Sequence, residues 1–263
     1  MIPGMISVIT PGRERTSKLS ACISSVINQT YPLKEHLILS DNCEQFFIEA
    51  KIHAKESAVI KPIFVNTQPD THWYKPARAA HVRNIGIQIA NGEYVAFLDD
   101  DNTWEIGHLS CLMDSIILTQ GAEASFSWRK LWDEKGTPYT APLHPWTDSD
   151  DAARTWQELK DMGVYTTETN TMRDICSWVD NEVLCTVDTS EWLISTTIAR
   201  KFPFKTSYTK NEIELKMGED TFFGNNLLKA GVLIAQSKVF SLNYFLGGFS
   251  TSPSGNWDSL STH

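Results

Sequence analysis

The stretch "EYVAFLDDDNTW", residues 93–104, runs from an apolar segment straight into three consecutive acids, Asp99, Asp100 and Asp101. Its first half has the short apolar pattern typical of a buried strand. Like charges gathered at one point repel each other unless something positive lies among them. Carboxylate oxygens are ligands that suit Mg²⁺ and Mn²⁺. We therefore expect a divalent cation (Mn²⁺ or Mg²⁺) here, completed by water and a ligand's phosphates; a solvated acidic turn or helix cap is the alternative.

The segments around this stretch predict an α/β fold. Apolar runs alternate with segments of helical periodicity, which is the pattern of βαβ units on a parallel sheet. The run at 59–65 contains Pro62, so we expect it at a sheet edge. The expected strands span 5–10, 35–40, 59–65, 93–98, 122–128, 190–196 and 231–236, and the expected helices about 16–29, 77–90, 104–118, 151–161 and 219–230.

The amino-acid composition argues against some classes of function. The 263 residues carry 23 Lys and Arg against 32 Asp and Glu, a net charge of −9, which argues against general nucleic-acid binding. The five cysteines form no CxxC pair and indicate reduced thiols. There is no basic leader and no apolar run of the ~20 residues that span a bilayer. We expect a cytoplasmic protein, and a peripheral membrane contact stays open.

The acidic triplet also matches a phosphatase motif. "DDDNT", 99–103, fits the DxDxT pattern of aspartyl-phosphate phosphatases, with Asp99 as nucleophile and Asp101 as acid. That motif follows the first strand of its domain, whereas three apparent strands precede it here. No downstream Lys and acidic pair follows in the phosphatase order, so this function is the alternative hypothesis.

Three blocks of sequence together resemble the family-2 glycosyltransferases of the GT-A fold. They are "ISVITPGRERTSKLSACISSVINQTYPLKEHLILSDN", "ARAAHVRNIGIQIANGEYVAFLDDDNTW" and "FPFKTSYTKNEIELKMGEDTFFGNNLLKAG". The resemblance implies a Rossmann-like, mixed and mainly parallel central sheet flanked by helices, with an irregular acceptor-side insertion. It implies one GT-A domain over 1–263, comprising a nucleotide-sugar-binding half (1–128), an acceptor-binding half (129–240) and a flexible tail or lid (241–263).

By this resemblance the acidic triplet is the family's DxD element. Asp101 is then expected to coordinate the metal, with Asp99 helping directly or through water. Asp100 or Asp99 contacts the ribose. Asp41, at the tip of the second strand, is expected to hydrogen-bond the nucleotide base, since a carboxylate can accept the ring N–H of uracil or guanine.

Other donor contacts are implied by the same resemblance. Arg83 lies in the "ARN" block and is expected to face the nucleotide diphosphate, while salt-bridging on a helix face is the alternative. Thr10, Pro11 and Arg13 line the end of the first strand. Arg13 stands where the family often has an aromatic residue that stacks on the base.

A second acidic pair, Glu219 and Asp220, begins a predicted helix. Acids at a helix start complement the helix dipole without any function. Downstream of a DxD the pair resembles the family's ED motif, in which a carboxylate is the catalytic base. We assign Asp220 as base and Glu219 as acceptor ligand, with the reverse assignment left open.

The predicted activity is metal-dependent transfer of a sugar, with inversion, from a nucleoside diphosphate sugar (UDP-sugar or GDP-sugar) to an acceptor hydroxyl. The acceptor is expected to be a saccharide or glycolipid in polysaccharide, glycolipid or glycoconjugate biosynthesis. A GT-A-like binding domain without turnover is a further alternative. Tryptophans in the irregular segment, Trp178 among them, fit either sugar-stacking platforms or core packing.

Overall fold

The computed structural model describes residues 1–14, 16–67, 74–147 and 149–247. The strands are β1 Ile2–Gly12, β2 Lys34–Asp41, β3 Ile60–Val65, β4 Gly92–Phe97, β5 Thr103–Trp104, β6 Ala124–Trp132, β7 Thr171–Met172, β8 Cys176–Val179, β9 Glu182–Cys185, β10 Trp192–Ser195 and β11 Ile234–Phe245. The helices are α1 Leu19–Ile27, α2 Glu44–Ala54, α3 Lys75–Ile89, α4 His108–Leu118, α5 Ser149–Asp161, α6 Thr196–Lys201, α7 Lys210–Glu214 and α8 Glu219–Lys229.

Within the described residues, the central sheet has nine strands in the order β3-β2-β1-β4-β10-β6-β11-β5, with β7 paired to β6. The long pairings of β1 with β2 and β4, of β2 with β3, and of β6 with β11 are parallel. Strand β10 is antiparallel to both of its neighbours. The predicted fold class, a mixed and mainly parallel sheet flanked by helices, is confirmed.

Strand β3 lies at one end of this sheet, as its proline predicts. Pro62 is opposite Ile38 of β2, and no other strand of the described ranges pairs with β3. Because proline has no N–H to donate, it is tolerated where one side of the strand has no neighbour to pair with.

Helices cover both faces of the sheet, since successive strand residues point to opposite sides. Ile9 of β1 packs in a buried cluster with residues of α3 and α8, and Val8 packs in a second cluster with residues of α1 and α4. Each fully buried side chain of this size contributes about 1.5–3 kcal/mol to folding. The helices α3 and α8 therefore lie on the same face, which matters for the site below.

The segment expected to be an irregular insertion is built into the core. The helix predicted near 151–161 is present as α5. Leu159, Val164 and Met172 are buried in the same cluster as Val8 of the central sheet. These contacts attach the segment to the sheet face that α1 and α4 cover.

Several predicted boundaries were wrong. The helix expected from 104 begins at His108, because Trp104 pairs with Leu242 of β11 instead. Helix α2 was missed because "EQFFIEAKIHA" buries only Phe46 and Ala50 and shows little periodicity.

The strand expected over 231–236 runs to Phe245, so 241–245, which the tail prediction covered, pair within the sheet. The rest of that predicted tail, from 248 onward, lies outside the described residues.

All five cysteines are free thiols. Within the described ranges, no helix combines the length and the apolar character that crossing a bilayer requires.

Candidate active site

The carboxyl ends of β1, β2 and β4 meet at one edge of the sheet, because these strands are parallel neighbours. Pro11 lies near the end of β1, Asp41 ends β2, and Asp99 follows β4 with one residue between. Ligands of open α/β sheets bind outside this edge. The fold thus brings the predicted donor-site residues of three separate segments together.

The acidic triplet forms a fixed loop at this edge. Asp99 keeps 27% of its side chain exposed, while Asp100 and Asp101 are 3% and 8% exposed. The backbone N–H of Asp99 donates to Ser190 Oγ at 3.2 Å, which ties the loop to the chain before β10. Asn102 Oδ1 accepts the backbone N–H of Phe245 at 3.0 Å. The loop is therefore tied to the turn before β10 and to β11, and two of its three acids are buried.

Arg83 of α3 joins the two acidic motifs. Its Nη2 donates to Asp99 Oδ1 at 2.5 Å, and its Nη1 donates to Glu219 Oε1 at the start of α8. The Arg83 side chain is 4% exposed. Burial works against its charge, but Asp99 and Glu219 raise the pKa of Arg83 on balance. The sequence assigned Arg83 to the diphosphate; the structure places it between two carboxylates at the same edge.

The acid pair begins α8 directly after Gly218. Burial raises the pKa of Glu219 to about 7; the negative charges of Asp220 and Asp99 add to this rise, and Arg83 opposes it. Asp220 Oδ1 accepts the backbone N–H of Thr221 at 2.7 Å. Glu219 is therefore engaged by a cation, whereas the contacts of Asp220 are to neutral groups of its own helix turn.

Asp41 is oriented by two partners. Two guanidinium nitrogens of Arg78 donate to its carboxylate, Nε to Oδ2 at 2.5 Å and Nη2 to Oδ1 at 3.0 Å. The Thr67 hydroxyl donates to Asp41 Oδ1. Paired, charge-assisted bonds of this kind fix a carboxylate in one orientation. No role was assigned to Arg78 from the sequence, so its partnership with Asp41 was missed.

The residues predicted at the end of β1 differ in their surroundings. The Thr10 side chain is fully buried, and its Oγ1 lies 2.8 Å from His36 Nε2. Burial lowers the pKa of His36 to about 3, so this histidine is neutral. Arg13 is largely exposed and pairs with Glu14 at 3.3 Å. The nucleotide contacts expected of Thr10 and Arg13 stay predictions.

A further carboxylate, Asp188, was missed. It caps the turn Thr189–Glu191, and its Oδ2 lies 3.6 Å from Arg129 Nη1. Burial raises the pKa of Asp188 to about 7; the charges of Asp99 and Asp220 add to this rise, and Arg129 opposes it. Asp188 thus lies within electrostatic reach of both acidic motifs. In the sequence it looked like an ordinary cap, because "VDTSEW" carries no other signal.

The donor groups at the triplet are hard oxygens, which fit Mg²⁺ or Mn²⁺. No group of three or more His, Cys, Asp or Glu side chains among the described residues converges as a complete metal site. The residues therefore fit such a cation only together with oxygens from a ligand, as the sequence led us to expect. The metal itself stays a prediction.

Part of this chain is similar in sequence to known glycosyltransferases. Residues 71–173, which include α3, β4 and the triplet, match the model of glycosyl transferase family 2. A putative teichuronic acid biosynthesis glycosyltransferase, TuaG of Bacillus subtilis, is 27% identical over 140 residues, 53% of this chain and 52% of that protein. The Escherichia coli glucosyltransferase WfgD is 32% identical over 100 residues, 38% of this chain and 36% of that protein.

Residues 71–173 of this chain are thus similar to glycosyl transferase family 2. The chain spans about a third to a half of the length of these two relatives, 36% and 52%. The fold of Staphylococcus aureus TarS, solved with UDP, is similar at a TM-score of 0.55 and 16% identity, covering 93% of this chain and 61% of that one. A TarS structure with UDP-GlcNAc is similar as well, with a TM-score of 0.55 and 16% identity. This match covers 91% of this chain and 58% of that one. The GT-A fold is thereby confirmed.

The family match confirms the resemblance drawn from the three sequence blocks. It leaves the phosphatase alternative without support, since the triplet lies inside the matched segment. The individual roles given to residues by that resemblance stay predictions. The family match ends at 173, so α8 and its acid pair are placed beside the triplet by the fold and by Arg83.

Proposed function

We propose that this protein is a metal-dependent glycosyltransferase that moves a sugar from a nucleoside diphosphate sugar, a UDP-sugar in the first instance, to an acceptor hydroxyl with inversion. The acceptor class is a saccharide or glycolipid in the assembly of a polysaccharide, glycolipid or glycoconjugate. Donor complexes of TarS and the UDP-glucose donor named for WfgD support the choice of UDP.

One observation carries this proposal: the guanidinium of Arg83 contacts both Asp99 and Glu219. It brings the acidic triplet and the acid pair to one edge of the sheet, where a diphosphate and an acceptor hydroxyl can meet. A transferase needs both groups within reach of a single anomeric carbon.

On the donor side, Asp41 accepts the ring N–H of the base, oriented for this by Arg78 and Thr67. Asp100 contacts the ribose. Asp101 and Asp99 would hold Mn²⁺ or Mg²⁺, which when bound supplies Lewis-acid neutralisation of the leaving diphosphate.

On the acceptor side, Asp220 removes the proton of the attacking hydroxyl. Glu219 is assigned to the acceptor instead, because its Oε1 is already engaged by Arg83, whereas Asp220 contacts neutral groups of its own helix turn. Arg83 holds Glu219 in place, and Glu219 in turn accepts a hydrogen bond from the acceptor. The hydroxyl oxygen attacks the anomeric carbon from the face opposite the diphosphate, so no covalent glycosyl-enzyme forms.

The donor half is tested by thermal shift with UDP and GDP, each with and without Mn²⁺ or Mg²⁺. We expect one nucleotide to stabilise the protein only when the metal is present. Asp101→Asn should remove this effect while leaving the unliganded melting temperature unchanged. Asp114→Asn, an exposed acid on α4, is the matched control and should keep it.

Turnover is tested by release of UDP from UDP-glucose and UDP-GlcNAc, with and without added saccharides. Thermal stabilisation by a nucleotide without any metal, or in the Asp101→Asn variant, would contradict the proposed metal site. Nucleotide binding without any UDP release from either donor would favour the inactive binding domain instead.

A further inference from the structure

A groove separates the two-stranded ribbon β8–β9 from helix α8. Its volume is about 330 Å³, at the lower end of small-ligand sites. Six residues line it, three of them from the ribbon, one from its turn and two from α8: Trp178, Glu182, Val183, Asn181, Asn225 and Lys229.

The ribbon packs against α8 through the face that carries its two cysteines. Cys176 is opposite Cys185, and Trp178 is opposite Val183, so both pairs lie on the same face of the ribbon. The cysteine pair packs against Gly224 of α8, where an added Cβ would be 2.2 Å from Cys185 Sγ. Trp178, on the same face of the ribbon, lines the groove and is 55% exposed.

The groove offers a flat apolar surface beside polar groups. An indole is usually well buried, so a half-exposed tryptophan next to a cavity is a feature to explain. Asn225 Oδ1 is buried, yet it has no hydrogen-bond partner among the described residues. Leaving such an acceptor unpaired costs about 1–3 kcal/mol. Because Asn225 lines the groove, a rotation of its side chain would let a ligand hydroxyl donate to this oxygen.

The charges of the lining distinguish among ligand classes. Glu182 and Lys229 have opposite signs, so the groove carries no excess of cations that would select a phosphate. An aromatic face, an unpaired amide oxygen and balanced charges suit a neutral polyhydroxylated ring, whose apolar face can lie on the indole.

We propose that this groove binds a sugar unit of the acceptor that is remote from the reacting hydroxyl. The inference rests on the proposed function, because it places the groove relative to Asp220 as base. With a helix rise of ~1.5 Å per residue, Asn225 and Lys229 lie roughly 8 and 14 Å along α8 from Asp220. The acceptor is therefore an oligosaccharide or a glycan-bearing molecule of more than one sugar, and binding energy from its remote unit helps to position the reacting one.

Saturation-transfer NMR on the whole chain tests this, with cellobiose and chitobiose as the probes. We expect at least one disaccharide to receive saturation from the wild-type protein. Trp178→Ala and Asn225→Ala should weaken its binding by roughly fivefold to tenfold. Leu118→Ala, which removes an 84% exposed side chain on α4, is the control and should bind as the wild type does.

Failure of both probes to bind the wild-type protein, or equal binding to Trp178→Ala of a probe that does bind, would overturn the proposal. The UDP-induced thermal shift should be the same in Trp178→Ala as in the wild type. Failure of the proposed function itself would instead show as absence of that UDP shift in every variant, whatever the disaccharides do.

Discussion

Asp99 and Glu219, far apart in the chain, share the guanidinium of Arg83. Asp99 belongs to the loop after β4 and Glu219 to the first turn of α8, so the residue that joins them determines how the two acidic motifs lie relative to each other. Because the arginine is buried and the carboxylates are largely so, this contact matters for stability as well as for the site.

Replacing Arg83 with methionine removes the cation and keeps the length of the side chain. We expect Arg83→Met to lower the free energy of unfolding by about 3–5 kcal/mol, because it leaves two carboxylates near each other without their shared partner. Urea unfolding measures this change. Arg154→Met is the control: its ion pair with Asp151 is exposed, and its loss should cost no more than about 1 kcal/mol. A similar small change in both variants would contradict a structural role for Arg83.

The assignment of the base predicts different effects for the two acids of α8. Asp220→Asn should lower kcat by about 10² or more while leaving the dissociation constant for UDP unchanged, since general-base loss acts on the chemical step. Glu219→Gln should reduce turnover less and raise KM for the acceptor. Steady-state kinetics with calorimetric titration of UDP separates these outcomes. A larger loss of kcat in Glu219→Gln would move the base to Glu219.

Much of the site was predictable from sequence because it lies in continuous motifs at strand ends. The triplet Asp99 to Asp101 follows a clear apolar strand, and Asp41 ends another. The pairing of these strands places their carboxyl ends together without any knowledge of side-chain contacts. The acid pair was likewise visible, since it precedes a run of helical periodicity.

The partners of these acids were not predictable, because they depend on packing between distant elements. Arg83 was assigned to a phosphate, since the sequence gives no measure of how close α8 comes to α3. Asp188 lies in a short turn with no pattern around it. Its importance follows from burial beside Arg129 and from the charges of Asp99 and Asp220, none of which local sequence encodes.

Asp188 predicts a dependence of stability on pH. Burial raises the pKa of Asp188 to about 7 from an ordinary value of 3.8, so the folded protein binds more protons than the unfolded chain between these values. Stability conferred by this group is full at low pH and falls as pH rises through about 4 to 7. The free energy of unfolding of the wild-type protein should therefore decline between pH 5 and 8. We expect Asp188→Asn to reduce this decline by an amount on the order of 3 kcal/mol.

Urea unfolding at a series of pH values measures this slope. Asp151→Asn changes an exposed acid on α5 and is the control. Its free energy of unfolding should vary with pH as that of the wild type does. An unchanged slope in Asp188→Asn would show that Asp188 is ionised in the folded protein across this range.

The ribbon β8–β9 is fixed to α8 by close packing at Gly224. Any side chain there meets Cys185 Sγ at 2.2 Å and Cys176 Sγ at 3.4 Å, so Gly224→Ala must push the ribbon away or shift the helix that carries Glu219 and Asp220. We expect a loss of about 1–3 kcal/mol in the free energy of unfolding. Gly107→Ala is the matched control, since a Cβ there has no neighbour within 4 Å.

A double variant shows whether the sulfur causes this loss. Cys185→Ala removes the atom that an alanine at 224 would strike, so Gly224→Ala combined with Cys185→Ala should be less destabilised than the two separate changes add up to. The double-mutant cycle in urea measures this difference. Simple additivity would mean that the ribbon does not rest on Gly224 through Cys185, and the wall of the groove beside Trp178 would then need another support.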